Sequence, residues 1–95
     1  MKAKFTEFNN SSNWVSGKVN DYEFGAKLFD EGSNYGIDNG RVSKLSIYNS
    51  EDTIVNYDRG WDIEPKEEHK EYYNSVMELL EKSPKRFEEH IEHTL

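Results

Sequence analysis

The chain has no cysteine at all. That absence excludes disulfides, zinc–thiolate centres and thiol nucleophiles together. A stable secreted domain of this size usually relies on disulfides, so a cytosolic setting is expected. Long apolar runs are missing too: nothing approaches the roughly 20 residues that span a bilayer. The opening Met-Lys-Ala-Lys-Phe-Thr-Glu lacks the apolar core of a signal peptide. No membrane partner is therefore expected.

Positive charge is scarce. Twelve basic residues face 19 acidic ones, for a net charge of −7. Residues 1–50 are balanced, so the whole excess lies in residues 51–95. A field of that sign repels phosphate backbones, and direct nucleic-acid binding is not expected. It attracts a basic protein surface, or it simply keeps an acidic helical half in solution.

The usual catalytic patterns are also lacking. No serine stands in a Gly-x-Ser-x-Gly elbow. Gly40 precedes Arg41 rather than Lys-Ser/Thr, so the glycines do not spell a phosphate loop. Asp38-Asn39-Gly40 does not extend into a calcium loop. Glu89, His90 and His93 sit close together near the C-terminus, but a zinc site needs three or four ligands on a rigid scaffold. Neither a metal nor another cofactor is expected, and the chain reads as a non-enzyme.

What is present is one small domain over residues 1–95. At this length about 60–65% of the unfolded surface can be buried. Aromatic residues make up 14% of the chain, enough to fill a core that is thin in aliphatics. Trp14–Val19 and Tyr22–Phe29 alternate apolar and polar positions, and Asn20-Asp21 between them suits a tight hairpin. Val42–Tyr48 and the β-branched Thr53–Tyr57 add two further strands. Residues 1–13 read either as a loose arm or as a short edge strand anchored by Phe5. After Pro65, Tyr72, Tyr73, Val76, Met77, Leu79 and Leu80 recur at helical spacing, with Glu67, Glu68 and Glu71 favouring the helix N-terminus. Ser83-Pro84 ends that helix, and Phe87, Ile91 and Leu95 mark a short second one over residues 84–95. The expected fold is α+β: a four-stranded antiparallel meander, with an optional N-terminal edge strand, packed by one long C-terminal helix.

The conspicuous loop is Asp30–Lys44, which carries Gly32, Gly36 and Gly40 at four-residue intervals. Long ordered loops in small domains are often functional. Its expected neighbour is Tyr57-Asp-Arg-Gly-Trp-Asp62. Two readings of that meeting stay open. In one, Gly60 supplies a positive φ, Arg41 and Arg59 pair with nearby acids, and Trp61 plugs the end of the sheet. In the other, Tyr35, Asp38, Arg41, Asp58, Arg59, Trp61 and Asp62 form a polar pocket whose rings stack on a flat ligand.

Both strings, Phe29 to Leu45 and Asn56 to Asp62, resemble those of a family of small uncharacterised proteins of phages and prophages of Gram-positive bacteria. The resemblance covers roughly Trp14 to Leu80 and brings no established activity. It implies the cytoplasm of a bacterial host cell, where small acidic phage proteins often bind and disable host machinery. The expected function is thus non-catalytic binding of a host protein with a basic surface, such as a nucleic-acid-binding or defence factor. The acidic face of Glu67, Glu68 and Glu71 and the glycine loop would carry it, in a monomer or a homodimer. The alternative is a small-molecule or nucleotide binder built on the loop and the Tyr57–Asp62 turn.

Overall fold

The computed structural model describes residues 1–9 and 11–83. Six strands follow one another: β1 (Ala3–Asn9), β2 (Trp14–Val19), β3 (Tyr22–Leu28), β4 (Val42–Tyr48), β5 (Thr53–Asp58) and β6 (Trp61–Ile63). They lie in the sheet in that same order, each antiparallel to the last. A single α-helix, α1 (Lys70–Lys82), crosses one face. The α+β class and the meander agree with the sequence; the strand count does not.

Register explains the core. Val15 lies opposite Ala26, which lies opposite Leu45, which lies opposite Tyr57. The next row runs Gly17, Phe24, Ile47 and Val55. Strand side chains alternate between faces, so both rows point to the same side. Val15, Phe24, Ala26, Leu45, Ile47 and Val55 are each at most 1% exposed. Helix α1 closes over them with Val76 and Leu80, both fully buried, while Tyr72, Tyr73, Met77 and Leu79 pack at the margin. Burying each of those two aliphatic side chains contributes about 2 kcal/mol.

Of the two strands beyond the expected four, β1 is the optional N-terminal edge strand, with Phe5 in it, and β6 is a further edge strand that the sequence does not announce. In β1 the register shifts between Phe5 and Glu7. The bulge brings Phe5 and Phe8 into ring contact at 4.8 Å although they are three apart in sequence. A period-two pattern cannot show that. Strand β6 has only three residues, all exposed, too few to display any period.

The helix also starts later than Pro65 suggests. Glu67–His69 forms a 3-10 turn, and the α-helix begins at Lys70. Glu71 is in the first α-helical turn, whereas Glu67 and Glu68 belong to the 3-10 turn ahead of it. At the other end Ser83 is extended, and its hydroxyl donates to the Leu80 carbonyl at 2.7 Å. The expected second helix, with Phe87 and Leu95, lies outside the described residues, as does the His90–His93 cluster.

The far face of the sheet carries the outward positions. One row across it reads Trp14, Lys27, Lys44, Asp58, and the next Ser16, Gly25, Ser46, Asn56. Among the described residues no helix covers this face. Nor is any helix among them long and apolar enough to cross a membrane.

Candidate functional site

The glycine loop between β3 and β4 is built on its own backbone. At its base the Phe29 N–H donates to the Arg41 carbonyl (3.0 Å), and the Ser33 N–H donates to the Gly40 carbonyl (3.2 Å). A 3-10 turn at Ile37–Asn39 forms its crown, and Ile37, 3% exposed, plugs the core. The left-handed positions are Asp38 (φ 53°) and Asn39 (φ 60°), and no glycine in the chain has a positive φ. The glycines serve close approach instead. A Cβ on Gly36 would overlap the Gly40 carbonyl, and one on Gly40 would meet the Glu81 carboxylate.

Arg41 fixes this loop to the helix. Its Nε donates to the Phe29 carbonyl at 2.8 Å, and its Nη1 donates to the carbonyls of Ser83 (2.9 Å) and Glu81 (3.3 Å). A guanidinium satisfying carbonyls at a helix C-terminus is favoured by both hydrogen bonding and the helix dipole. The Arg41 N–H also donates to Glu81 Oε2 at 3.2 Å. A third tie comes from Tyr57, whose hydroxyl donates to the Tyr35 carbonyl at 2.8 Å.

The expected site residues fall in three places. Trp61 turns toward the helix side, edge-on to Tyr57 (5.0 Å) and Tyr73 (5.7 Å). It does plug the end of the sheet, yet it stays 39% exposed. The tight corner before it rests on Arg59, with φ 58°, rather than on Gly60. Burial, with help from the charges of Asp38 and Glu81, pushes the Tyr73 phenol up to about 12.

Tyr35, Asp58 and Arg59 meet elsewhere, in a cleft of about 860 Å³ at the loop end of the sheet. Lys27, Phe29 and Lys44 share its walls, and none of these three is in the expected set. Lys27 and Lys44 face each other across β3 and β4 and project from the uncovered face. Alternation alone puts both outward. Their pairing follows from the register that β3 and β4 keep from Glu23–Tyr48 through Lys27–Lys44, which shifts only beyond them, between Lys27 and Leu28, and which the long loop between the strands hides from the sequence. Asp58 pairs with Lys44 at 3.5 Å. The Arg59 guanidinium lies over the Tyr35 ring at 5.2 Å, and the Lys27 ammonium over Phe29 at 5.7 Å.

Strand β6 gathers the remainder. Trp61, Asp62 and Ile63 are all exposed, and the chain runs on through exposed Glu64, Glu67, Glu68 and Glu71. Being last in the sheet, β6 has no strand on its outer edge among the described residues. No group of three metal-capable side chains occurs among them either.

In class, this is a small α+β domain with two exposed surfaces, a charged aromatic cleft and an acidic strand edge. A model of the family described as Domain of unknown function (DUF7678) matches residues 13–81, and the chain belongs to that family. No curated protein and no solved structure matches the chain.

Proposed function

We propose that this chain is a non-catalytic binding domain that engages a protein with a basic surface through the β6 edge and the acidic segment after it. The observation that carries this is the exposure of every residue of β6 at a sheet edge that no other strand covers among the described residues. An open edge offers unpaired backbone donors and acceptors to an incoming extended segment. Trp61 and Ile63, 39% and 40% exposed, supply apolar contact on either side of it, Trp61 opposite core-facing Tyr57 and Ile63 opposite outward-facing Asn56. Asp62, within the strand, and Glu64, Glu67, Glu68 and Glu71, after it along the chain, are all exposed and negatively charged. Partly buried aromatic anchors inside a charged rim are the usual anatomy of an interface. The resemblance to phage and prophage proteins supports a setting in the bacterial cytoplasm, with a host protein as the partner.

Capture from host lysate at low and moderate salt tests this. The expected result is a partner that weakens as salt rises and is lost with Ile63→Lys or with the triple reversal Glu67→Lys, Glu68→Lys, Glu71→Lys. Capturing no partner, or one that ignores both variants, overturns it.

A further inference from the structure

The cleft at the loop end is a separate surface, and its chemistry differs from that of the β6 edge. Its two rings are presented firmly. Tyr35, 59% exposed, stands on a backbone held at both ends, its carbonyl accepting from Tyr57 and its N–H donating to the Ser33 hydroxyl at 3.2 Å. Phe29, 38% exposed, follows directly after β3 and is bonded through its N–H to the Arg41 carbonyl. A ring whose position is already fixed loses little freedom when a flat ligand stacks on it.

Each ring carries a cation that has little else to hold it. Arg59 lies over Tyr35 and Lys27 over Phe29, and neither takes part in an ion pair among the described residues. An exposed cation on a ring is weakly held, whereas the same cation on an anionic oxygen makes a short charge-assisted hydrogen bond. An anion entering the cleft would draw both cations off, and their departure frees both ring faces. One ligand would thus use both halves of the arrangement.

The backbone at Arg59 points the same way. It is left-handed at φ 58°, a conformation that glycine adopts without strain, and Gly60 is the very next residue. Its N–H is bonded to the Ser43 carbonyl at 3.0 Å, so the conformation is built into the corner. An arginine held there against backbone preference is consistent with a use for its side chain.

Charge bounds the ligand. Lys27, Lys44 and Arg59 are balanced by Asp30, Glu31 and Asp58 on the same walls. Lys44 is already paired with Asp58, which leaves two cations for the ligand. That suffices for one anionic group and not for a polyphosphate, which the carboxylates and the net charge of −7 would repel. The volume of about 860 Å³ lies within the range of small-molecule clefts and admits a nucleoside. We infer that the cleft binds a flat heteroaromatic ring bearing a single anionic group, of the nucleoside monophosphate class. Lys27 and Arg59 would hold the anion, and Tyr35 and Phe29 the ring.

Titration of the intact chain with adenosine 5′-monophosphate, adenosine and adenosine 5′-triphosphate in phosphate-free buffer tests this, followed by calorimetry and by amide shifts. The monophosphate is expected to bind at least about tenfold more tightly than either comparator, with shifts centred on Phe29, Tyr35 and Arg59. Tyr35→Ala and Arg59→Gly are each expected to lose about tenfold. Arg59→Gly should do so with an unchanged melting temperature, because glycine suits the left-handed corner. No saturable shift at millimolar monophosphate overturns the inference. So does tighter binding of the triphosphate, or an Arg59→Gly protein that binds like the parent.

Discussion

At the scale of single residues, two side-chain choices in the loop hold it in shape. Arg41 satisfies three carbonyls, on Phe29, Glu81 and Ser83, that would otherwise depend on solvent. Hydrogen bonds from a charged donor are worth about 1.5–3 kcal/mol each in favourable cases, and partial exposure reduces that here. Arg41→Ala is expected to destabilise the domain by roughly 2 kcal/mol in urea unfolding. A loss under about 0.5 kcal/mol, the level of an ordinary surface change, would show the clamp to be dispensable. Gly36 acts by absence of a side chain, since its missing Cβ makes room for the Gly40 carbonyl. Gly36→Ala is expected to cost about 1–3 kcal/mol through that overlap, in the same assay. A fully stable alanine variant would mean that the loop crown can shift at no expense. Neither role was legible as such in the sequence. The four-residue spacing marked the glycines as special, but a one-dimensional pattern does not tell close approach from positive φ. The left-handed positions went instead to Asp38, Asn39 and Arg59.

At the scale of elements, helix and sheet meet through aromatic edges at the β6 end. Trp61 sits between Tyr57 and Tyr73, and Tyr73 keeps its phenol proton up to about pH 12 because burial, then Asp38 and Glu81, disfavour the phenolate. The unfolded chain releases that proton near 10. Tyr73 therefore contributes its full share to stability below about pH 10 and loses it as pH rises toward about 12. The measurement is urea unfolding at a series of alkaline pH values. Tyr73→Phe should keep the ring contact and flatten the decline in that window; an unchanged slope would remove Tyr73 as its cause. Much of this scale could be read ahead of the structure. β2, β3 and β4 were legible because each shows several apolar–polar alternations, and α1 because its apolar stripe spans three turns. β1, which is bulged, was legible only as one of two readings of residues 1–13, and β6, three residues long, was not legible at all. The candidate site suffered from the same gap. Arg41 lies inside the loop and Trp61 in the Tyr57–Asp62 turn, but both face the helix, while Lys27 and Lys44 reach the cleft only through a register set by tertiary pairing.

For the whole molecule, the controlling fact is the placement of charge. The net −7 belongs to residues 51–95, and five of the acids there stand between Asp62 and Glu71, within β6 and just after it. Among the described residues, the ion pairs in the segment from Asp62 onward are Lys70–Glu67 and Lys82–Glu78, both surface pairs within one or two helical turns. Exposed pairs of this kind contribute little and do not offset the crowding of the unpaired carboxylates. Screening should therefore stabilise the domain. The Debye length falls from about 10 Å at 0.1 M salt to about 3 Å at 1 M, so like charges on neighbouring turns cease to feel one another. The melting temperature is expected to rise by a few degrees over that span of sodium chloride. The triple reversal of Glu67, Glu68 and Glu71 to lysine takes the net charge from −7 to about −1 and should abolish most of the rise. If the parent chain is insensitive to salt, its acidic crowding imposes no strain on folding, and the negative field exists at no thermodynamic expense. If parent and reversed chain respond alike, the salt acts through exclusion from the protein surface rather than through screening. Only a rise confined to the parent would identify Asp62–Glu71 as charge that opposes folding, retained beside an open strand edge where a basic partner would relieve it.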